Sequence, residues 1–523
     1  MQKALEIGKK SATGSFQLFV GVAVSTIIMA VGTIILGRIM TPEEYGLYYI
    51  ALTPSYMAIL FRDWGINSAI TKYTASLRAE NKKEDTYEII AAGMLFEAAT
   101  GLILSIILFT LSNFIASTIF GKPESSPLIA IASVTVLAGA ILTAAQSTFI
   151  GFEKMELNSL TTICQAIAKT IASPVLVIAG YSALGATLGY TISFIAAALT
   201  SLAALYLTIV KWVKAKNPEK TSLLQTLKEM LRYGIPLSIS SIISGFLIQF
   251  YAFMIAIYCT EAMIGNYQVA TQFATILTFF TTPISTVLFP TFSKINPQNE
   301  RELLQTVFAS SVKYTAMILV PATMAMIVLS KPIVYTLFGE KWTYAPFFLA
   351  LYIINNLFAI FGSLSLGSIL AGLGETKTQM KLTLITLTLG MPLAFALIPT
   401  MGIVGLILTS IIAGIPSLFI GLCWVWKRYK IKVDMKSSVR ILASSTVATA
   451  ATFLTINFIT FADWIKLAAG GLIFLATYLT TAPLIGAIKQ SDIANLKVMF
   501  SELGLISKLF NIPLSAMEKL SSV

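Results

Sequence analysis

Arg62, Asp63, Glu97, Lys169 and Lys313 lie inside long apolar segments, where no water solvates a charge. An ionised side chain near the centre of a bilayer costs about 2.5–3.5 kcal/mol on insertion scales, so each needs a partner or a task. Lys169 stands near the middle of segment 157–180, on one polar stripe with Asn158, Thr162, Gln165 and Ser173. Such a lysine either pairs with a carboxylate to hold helices together or faces a cavity and binds an anionic substrate. The second reading is preferred here. Arg62 and Asp63 adjoin in segment 45–68, and helix neighbours point about 100° apart, so they do not simply neutralise each other. Arg62 is read as a second substrate cation, with a structural ion pair as the alternative.

Glu97 shares a stripe with Gly93, Thr100, Gly101 and Ser105 in segment 88–112. It is either the partner of Lys169 or, like Asp63, a carboxylate that takes up H⁺ or Na⁺. Lys313 is near enough to the inner end of segment 304–329 to snorkel to the interface. Gln249, with Ser238, Ser241 and Gly245, forms an uncharged stripe, and Gln272 forms another with Gln268 and Thr275. These stripes serve helix packing or sugar contact. The candidate substrate-binding set is thus Lys169, Arg62, Gln165, Lys313, Gln249 and Gln272, and the candidate ion-coupling carboxylates are Glu97 and Asp63.

Other chemistries are excluded by residues the chain lacks. With no histidine among 523 residues, a His-ligated zinc centre and a Ser-His-Asp triad are impossible. No G-x4-GK[ST] run is present for a Walker-type ATP site. Cys164 and Cys423 fall in predicted spans and Cys259 at an outer edge, a separation that argues against a disulfide framework. No catalytic residue, metal or cofactor is expected.

The elements that must carry these residues follow from composition. The hydrophobic fraction is 56%, only 11% of residues are charged, and mean hydropathy is +0.82. A helix needs about 20 apolar residues to cross the hydrocarbon layer. Fourteen segments qualify: 15–37, 45–68, 88–112, 127–150, 157–180, 183–210, 233–258, 264–289, 304–329, 346–371, 379–398, 403–426, 439–460 and 465–487. The sequence therefore predicts an all-α polytopic membrane protein of 14 transmembrane helices. The first segment follows Lys9 and Lys10 but is too long for a signal peptide and lacks a small-x-small cleavage site, so it is read as a retained span. Started inside, this topology puts 28 of the 36 Lys and Arg on the cytoplasmic side and five outside, namely Arg38, Lys122, Lys331, Lys341 and Lys466. Both termini are accordingly expected in the cytoplasm. The net charge of +12 is then mostly topology, and no nucleic-acid partner is needed to explain it.

The spans repeat. Thr41, Gly46 and Tyr48 recur as Thr260, Gly265 and Tyr267; Phe120-Gly121 as Phe338-Gly339; Gly151 as Gly372; and Gly185 as Gly405, at offsets of 218 to 221. Duplicated helical arrays are built by secondary transporters, with substrate handled between the halves. The expected organisation is a six-helix lobe over 1–210, a cytoplasmic amphipathic linker over 211–232, a second six-helix lobe over 233–426, two further spans over 427–487 and a cytoplasmic tail over 488–523. The linker spaces Leu223, Leu224, Leu227, Met230 and Leu231 helically, and the tail does so with Ile493, Leu496, Met499, Phe500 and Leu503. Both are read, with the basic stretch 427–440, as interfacial segments on anionic lipid, partner docking being the alternative.

Three local patterns carry a family resemblance. The stretch 36–48, LGRIMTPEEYGLY, resembles the first-loop signature of Wzx-type polysaccharide flippases. Asp63-Trp64-Gly65-Ile66 resembles their second-span motif, and Gly151-Phe152-Glu153-Lys154 and Gly374-Glu375-Thr376-Lys377 resemble their inner turns. The resemblance implies the multidrug/oligosaccharidyl-lipid/polysaccharide exporter superfamily, with two lobes around a V-shaped cavity that opens alternately to each side. It implies a multi-pass protein of the cell membrane that moves an oligosaccharide on a polyprenyl or dolichyl phosphate or diphosphate outward for glycan assembly. Lumen cations would hold the phosphate, a role that falls to Lys169 and Arg62, although Arg before the motif's Asp departs from the family pattern. Membrane lipids, H⁺ or Na⁺, and glycan-assembly enzymes are the implied partners. A multidrug exporter of the same superfamily is the first alternative, but such proteins have twelve spans and an acidic lumen. A membrane-embedded glycosyltransferase or polymerase is the second; it would want a sizeable outer catalytic loop, and the longest here is the roughly 17 residues from Ser330 to Pro346.

Overall fold

Thr41 and Pro42 show how the sequence sets helix ends. The Thr41 hydroxyl accepts from the Glu44 amide (3.2 Å), and the Glu44 carboxylate accepts from the Thr41 amide (2.9 Å), closing a capping box. Pro42, whose missing N–H is no loss at a helix start, follows directly. The computed structural model of the chain describes residues 2–210, 223–458, 460–501, 515 and 518. Its contacts divide it into two compact units, Met1–Gly265 and Asn266–Val523. Among the described residues there is no strand.

The first unit contains α1 (Gln2–Ile39), α2 (Pro42–Leu60), α3 (Ile66–Ala79), α4 (Lys83–Phe114), α5 (Ser126–Gly151), α6 (Met155–Leu176), α7 (Ser182–Leu205) and α8 (Leu223–Tyr258). It ends on the first turn of α9 (Glu261–Ser293). Segment 45–68, expected as one span, is broken. Trp64 (φ 48°) and Gly65 (φ 79°) turn the chain between α2 and α3, so Arg62 and Asp63 lie in a turn and not on a continuous helix. Small residues let the helices close in. Gly21 and Gly32 of α1 abut Ser159 and Thr170 of α6, and these hydroxyls donate to the α1 carbonyls of Gln17 (3.1 Å) and Ile28 (3.0 Å).

The two copies of the Thr-x4-Gly-x-Tyr motif meet face to face. A Cβ on Gly46 would stand 1.8 Å from the Glu261 carbonyl oxygen, and one on Gly265 would stand 2.1 Å from that of Pro42. Neither backbone can admit a side chain. Beside them Lys122, expected as an outer-loop cation, is buried. Its ammonium donates to the carbonyls of Ala256 (2.8 Å) and Cys259 (2.6 Å) at the end of α8 and lies 3.4 Å from the Glu261 carboxylate. A cation there satisfies carbonyls that a helix end leaves open. Gly46→Val is expected to cost about 1–3 kcal/mol through overpacking, read as a lowered Tm in detergent, whereas Gly367→Ala, where a Cβ meets nothing, should melt like wild type.

The second unit holds the rest of α9, then α10 (Arg301–Val328), α11 (Ser330–Phe338), α12 (Ala345–Ile353), α13 (Ser363–Gly372), α14 (Thr376–Tyr429), α15 (Met435–Phe458), α16 (Asp463–Leu484) and α17 (Gln490–Ser501). Segment 346–371 is bent by 56° where Gly362 adopts φ 86°. Helices α15 and α16, outside the duplicated part, pack on α10 through Ile441, Ala448, Phe474 and Tyr478, and the Tyr478 hydroxyl donates to the Met317 carbonyl (3.1 Å).

Among the described residues nine helical stretches are long and apolar enough to cross a membrane, ten if the bent pair is one span. The chain is therefore a multi-pass membrane protein. Two of the nine, Met155–Thr208 and Thr376–Tyr429, run to 54 residues. A straight helix of that length would be about 80 Å long against a hydrocarbon layer of roughly 30 Å. Each instead breaks at a positive-φ glycine, Gly180 and Gly402, and folds back: Gly185 packs on Leu176, and Gly405 on Leu397. Of the expected surface linker, 211–222 lies outside the described residues, and 223–232 runs without a break into α8. In the tail, Leu503 and the side chains of Leu496, Met499 and Phe500 also lie outside the described residues.

Candidate substrate and ion site

The break after α2 places the Arg62 guanidinium, 3% exposed, against Glu97 of α4, which is fully buried. Arg62 Nε lies 2.9 Å from Glu97 Oε2. Its Nη2 donates to Thr143 Oγ1 of α5 at 2.7 Å and its Nη1 to the Val136 carbonyl at 3.4 Å. Gly139 makes the room: a Cβ there would come within 3.3 Å of the guanidinium. Asn67 of α3 donates to Glu97 Oε1 (3.2 Å), while its own amide donates to Asp63 Oδ1 (2.8 Å). Glu97 is thus the partner of Arg62 and not, as one reading of the sequence had it, of Lys169. The planar fork of arginine explains how one cation serves a carboxylate, a hydroxyl and a carbonyl together.

One guanidinium, that of Arg62, thus stands in a cluster with two carboxyl groups, those of Glu97 and Asp63. Beside Asp63 lies a cavity of about 160 Å³ lined by Asp63, Trp64, Gly65, Ser68, Ser238 and Ser241. The Ser238–Ser241 stripe, read from sequence as helix packing or sugar contact, therefore borders a carboxylate. Backbone holds the two sides close, since Gly65 of the turn and Gly234 of α8 leave no space for a Cβ on either.

Lys169 of α6 differs from the other intramembrane cations. Half-buried, it has no carboxylate within salt-bridge distance among the described residues. Its ammonium lies 5.1 Å from the centre of the Tyr190 ring of α7. Such a contact steadies a cation without neutralising it. The Tyr190 hydroxyl is 3.0 Å from that of Tyr56 on α2, and Tyr48, with its buried hydroxyl unbonded among the described residues, sets its ring edge-on to Tyr190 at 6.2 Å. Phe194 links the two cations: it stacks beside Tyr190 at 5.1 Å and shares the space over Gly139 with Arg62. Gln165, one turn from Lys169, is half-buried and has no described hydrogen-bond partner.

The remaining candidates lie elsewhere. Lys313 of α10, in the second unit, is paired: its ammonium is 2.5 Å from Asp492 Oδ2 of α17, which also accepts from the Lys489 amide (2.8 Å). Gln249 lies half-buried on α8 of the first unit, and Gln272 half-buried on the part of α9 in the second. Sequence reasoning passed over Asn67, Thr143, Gly139, Tyr56 and Tyr190. Of these only Asn67 had a local cue, four residues after Asp63 in an otherwise apolar run.

Comparison with known proteins matches the model of the polysaccharide biosynthesis protein family to residues 11–296 of the chain. The lipopolysaccharide biosynthesis protein WzxC of Escherichia coli (strain K12) is 25% identical over 329 residues, 61% of this chain and 62% of WzxC. A protein named "Probable low-salt glycan biosynthesis flippase Agl15", from Haloferax volcanii, is 27% identical over 176 residues, 32% of this chain and 36% of that protein. The matches thus span less than two thirds of either relative. Among solved structures, the lipid II flippase MurJ in an inward closed conformation has a TM-score of 0.73 over 89% of this chain and 98% of its own, at 17% identity. At that identity the likeness is one of fold.

Proposed function

This chain belongs to the polysaccharide biosynthesis protein family, and on that premise we propose that it is an alternating-access flippase for lipid-linked oligosaccharides. Lys169 carries the reading. An intramembrane ammonium without a carboxylate, held over an aromatic ring, is a costly feature that a phosphate ligand would justify. The polyprenyl or dolichyl tail stays in lipid while saccharide and phosphate cross beside Tyr56 and Phe194, the half-buried members of the ring cluster that backs Lys169. Gln165 would add a hydrogen bond to the head group, and Gln249 and Gln272 are assigned to the saccharide path. Lys313, salt-bridged to Asp492, is assigned to anchoring α17.

Two carboxyl groups around the single guanidinium of Arg62 support uptake of one H⁺ or Na⁺ at Asp63 and Glu97 as the coupling step. The broken α2–α3 junction is the natural hinge for transmitting it. Outward movement of an anionic head group is also favoured by a cell-negative potential, by about 2.3 kcal/mol per charge per 100 mV. Fourteen spans in two six-helix lobes plus two helices, cytoplasmic termini and residence in the cell membrane complete the proposal, with glycan-assembly enzymes as partners.

The reading is tested with the full chain in liposomes. A fluorescent lipid-linked oligosaccharide should become accessible to a membrane-impermeant reagent from both leaflets in protein-containing vesicles and from one leaflet in empty ones. Loss of that difference, with efflux of a lipophilic cation in its place, would overturn the flippase in favour of the multidrug exporter.

A further inference from the structure

The second unit holds a cationic site of its own, where α11 and α16 meet the end of α15. There a cavity of about 270 Å³ is lined by Lys331, Asn457, Asp463 and Lys466 together with the apolar Val328, Pro332, Phe453 and Ile456. Lys331 is exposed and has no carboxylate partner among the described residues; its ammonium lies 5.4 Å from the Tyr335 ring centre. Lys466 makes one loose contact, 3.8 Å to Asp463, so the cavity keeps a net charge of +1 from two lysines and one aspartate. Around it stand exposed aromatics: Phe453 (57%), Phe458 (84%), Phe461 (67%) and Trp464 (63%).

Cationic and apolar residues lining one cavity, with exposed aromatic side chains at the ends of two membrane-length helices, are the composition of a bilayer interface. Surface lysines there attract anionic lipid, and the exposed Phe453 beside them offers an acyl or prenyl chain a wall to lie on. We infer that this cavity binds the phosphate of an anionic membrane lipid, its chain lying along α15. Helices α15 and α16, which have no counterpart in the duplicated part, thereby gain a task. That the rim faces outward rests on the orientation proposed above; the site itself does not.

Trp464, next to Asp463, gives a local readout. Purified full-length protein in detergent is titrated with brominated-chain phosphatidylglycerol, brominated-chain phosphatidylcholine and a short prenyl phosphate, and the Trp464 signal is taken as the difference from Trp464→Phe. Inorganic phosphate is added as competitor. Phosphatidylglycerol should quench at least about tenfold more tightly than phosphatidylcholine, and Lys331→Gln with Lys466→Gln together should weaken it about 25-fold. Asp463→Asn should tighten it. Competition by the prenyl phosphate well ahead of the phospholipid assigns the site to a prenyl carrier; equal competition assigns it to anionic lipid in general; competition by inorganic phosphate alone shows that the head group suffices. Unchanged quenching in the double lysine variant, or equal quenching by phosphatidylcholine, overturns the site. Flipping plays no part in this readout, so a protein that fails the liposome test still decides it.

Discussion

Arg62→Ala is expected to destabilise the folded chain by about 3–5 kcal/mol, because it leaves the buried Glu97 without its partner inside the membrane. Glu97 is fully buried and accepts from Asn67, so no water reaches in to replace the guanidinium. The loss belongs to the unpaired charge and not to the pair. Arg62→Met combined with Glu97→Leu should therefore recover most of it, since a buried ion pair exchanged for apolar groups of similar volume is often neutral. Thermal melts in detergent separate the two variants from wild type. An Arg62→Ala protein that melts within about 0.5 kcal/mol of wild type would mean that the cluster is hydrated, and the coupling role given to its carboxyl groups would fall with it.

Lys169→Ala should leave folding intact and slow flipping by about 10- to 150-fold, the range for losing one hydrogen bond to a charged group. No described carboxylate is orphaned by the change, and the alanine sits among helix neighbours that already tolerate small residues at Gly189 and Ser173. Lys169→Arg keeps the charge over Tyr190 and should retain the larger part of the rate. Tyr190→Phe keeps the ring but breaks the 3.0 Å contact with Tyr56, and should cost less than the alanine. Liposome flipping rates at matched protein density decide this. Full activity in Lys169→Ala would remove the phosphate site from α6.

The membrane class and most span positions were legible in the sequence, because a run of about 20 apolar residues has few other uses in a chain this hydrophobic. The first hairpin was legible too: segments 157–180 and 183–210 part at Gly180, which carries a positive φ. The break at Phe61–Gly65 was not, since segment 45–68 stays apolar through it. Asp63-Trp64-Gly65 held the cue, as a glycine after an aspartate is a turn signal, but Trp64 at positive φ is not something composition announces. Pairings between distant helices were invisible. Arg62 and Glu97 are 35 positions apart and Lys313 and Asp492 are 179 apart, and no local pattern links either pair. The burial of Lys122 was illegible for a related reason: counting basic residues by loop says where a lysine sits along the chain, not whether helix-end carbonyls enclose it.

Gly46 and Gly265 touch each other's motif, each copy pressed on the backbone that opens the other. A patch that fits its own duplicate is self-complementary, the property that defines the interface of a twofold dimer. Here both halves of that interface belong to one polypeptide. The partner is always present, at a concentration set by the tether and not by expression. Fusion also releases the symmetry constraint, so one copy can acquire a residue such as Lys122 at its edge without its twin having to accept the same change.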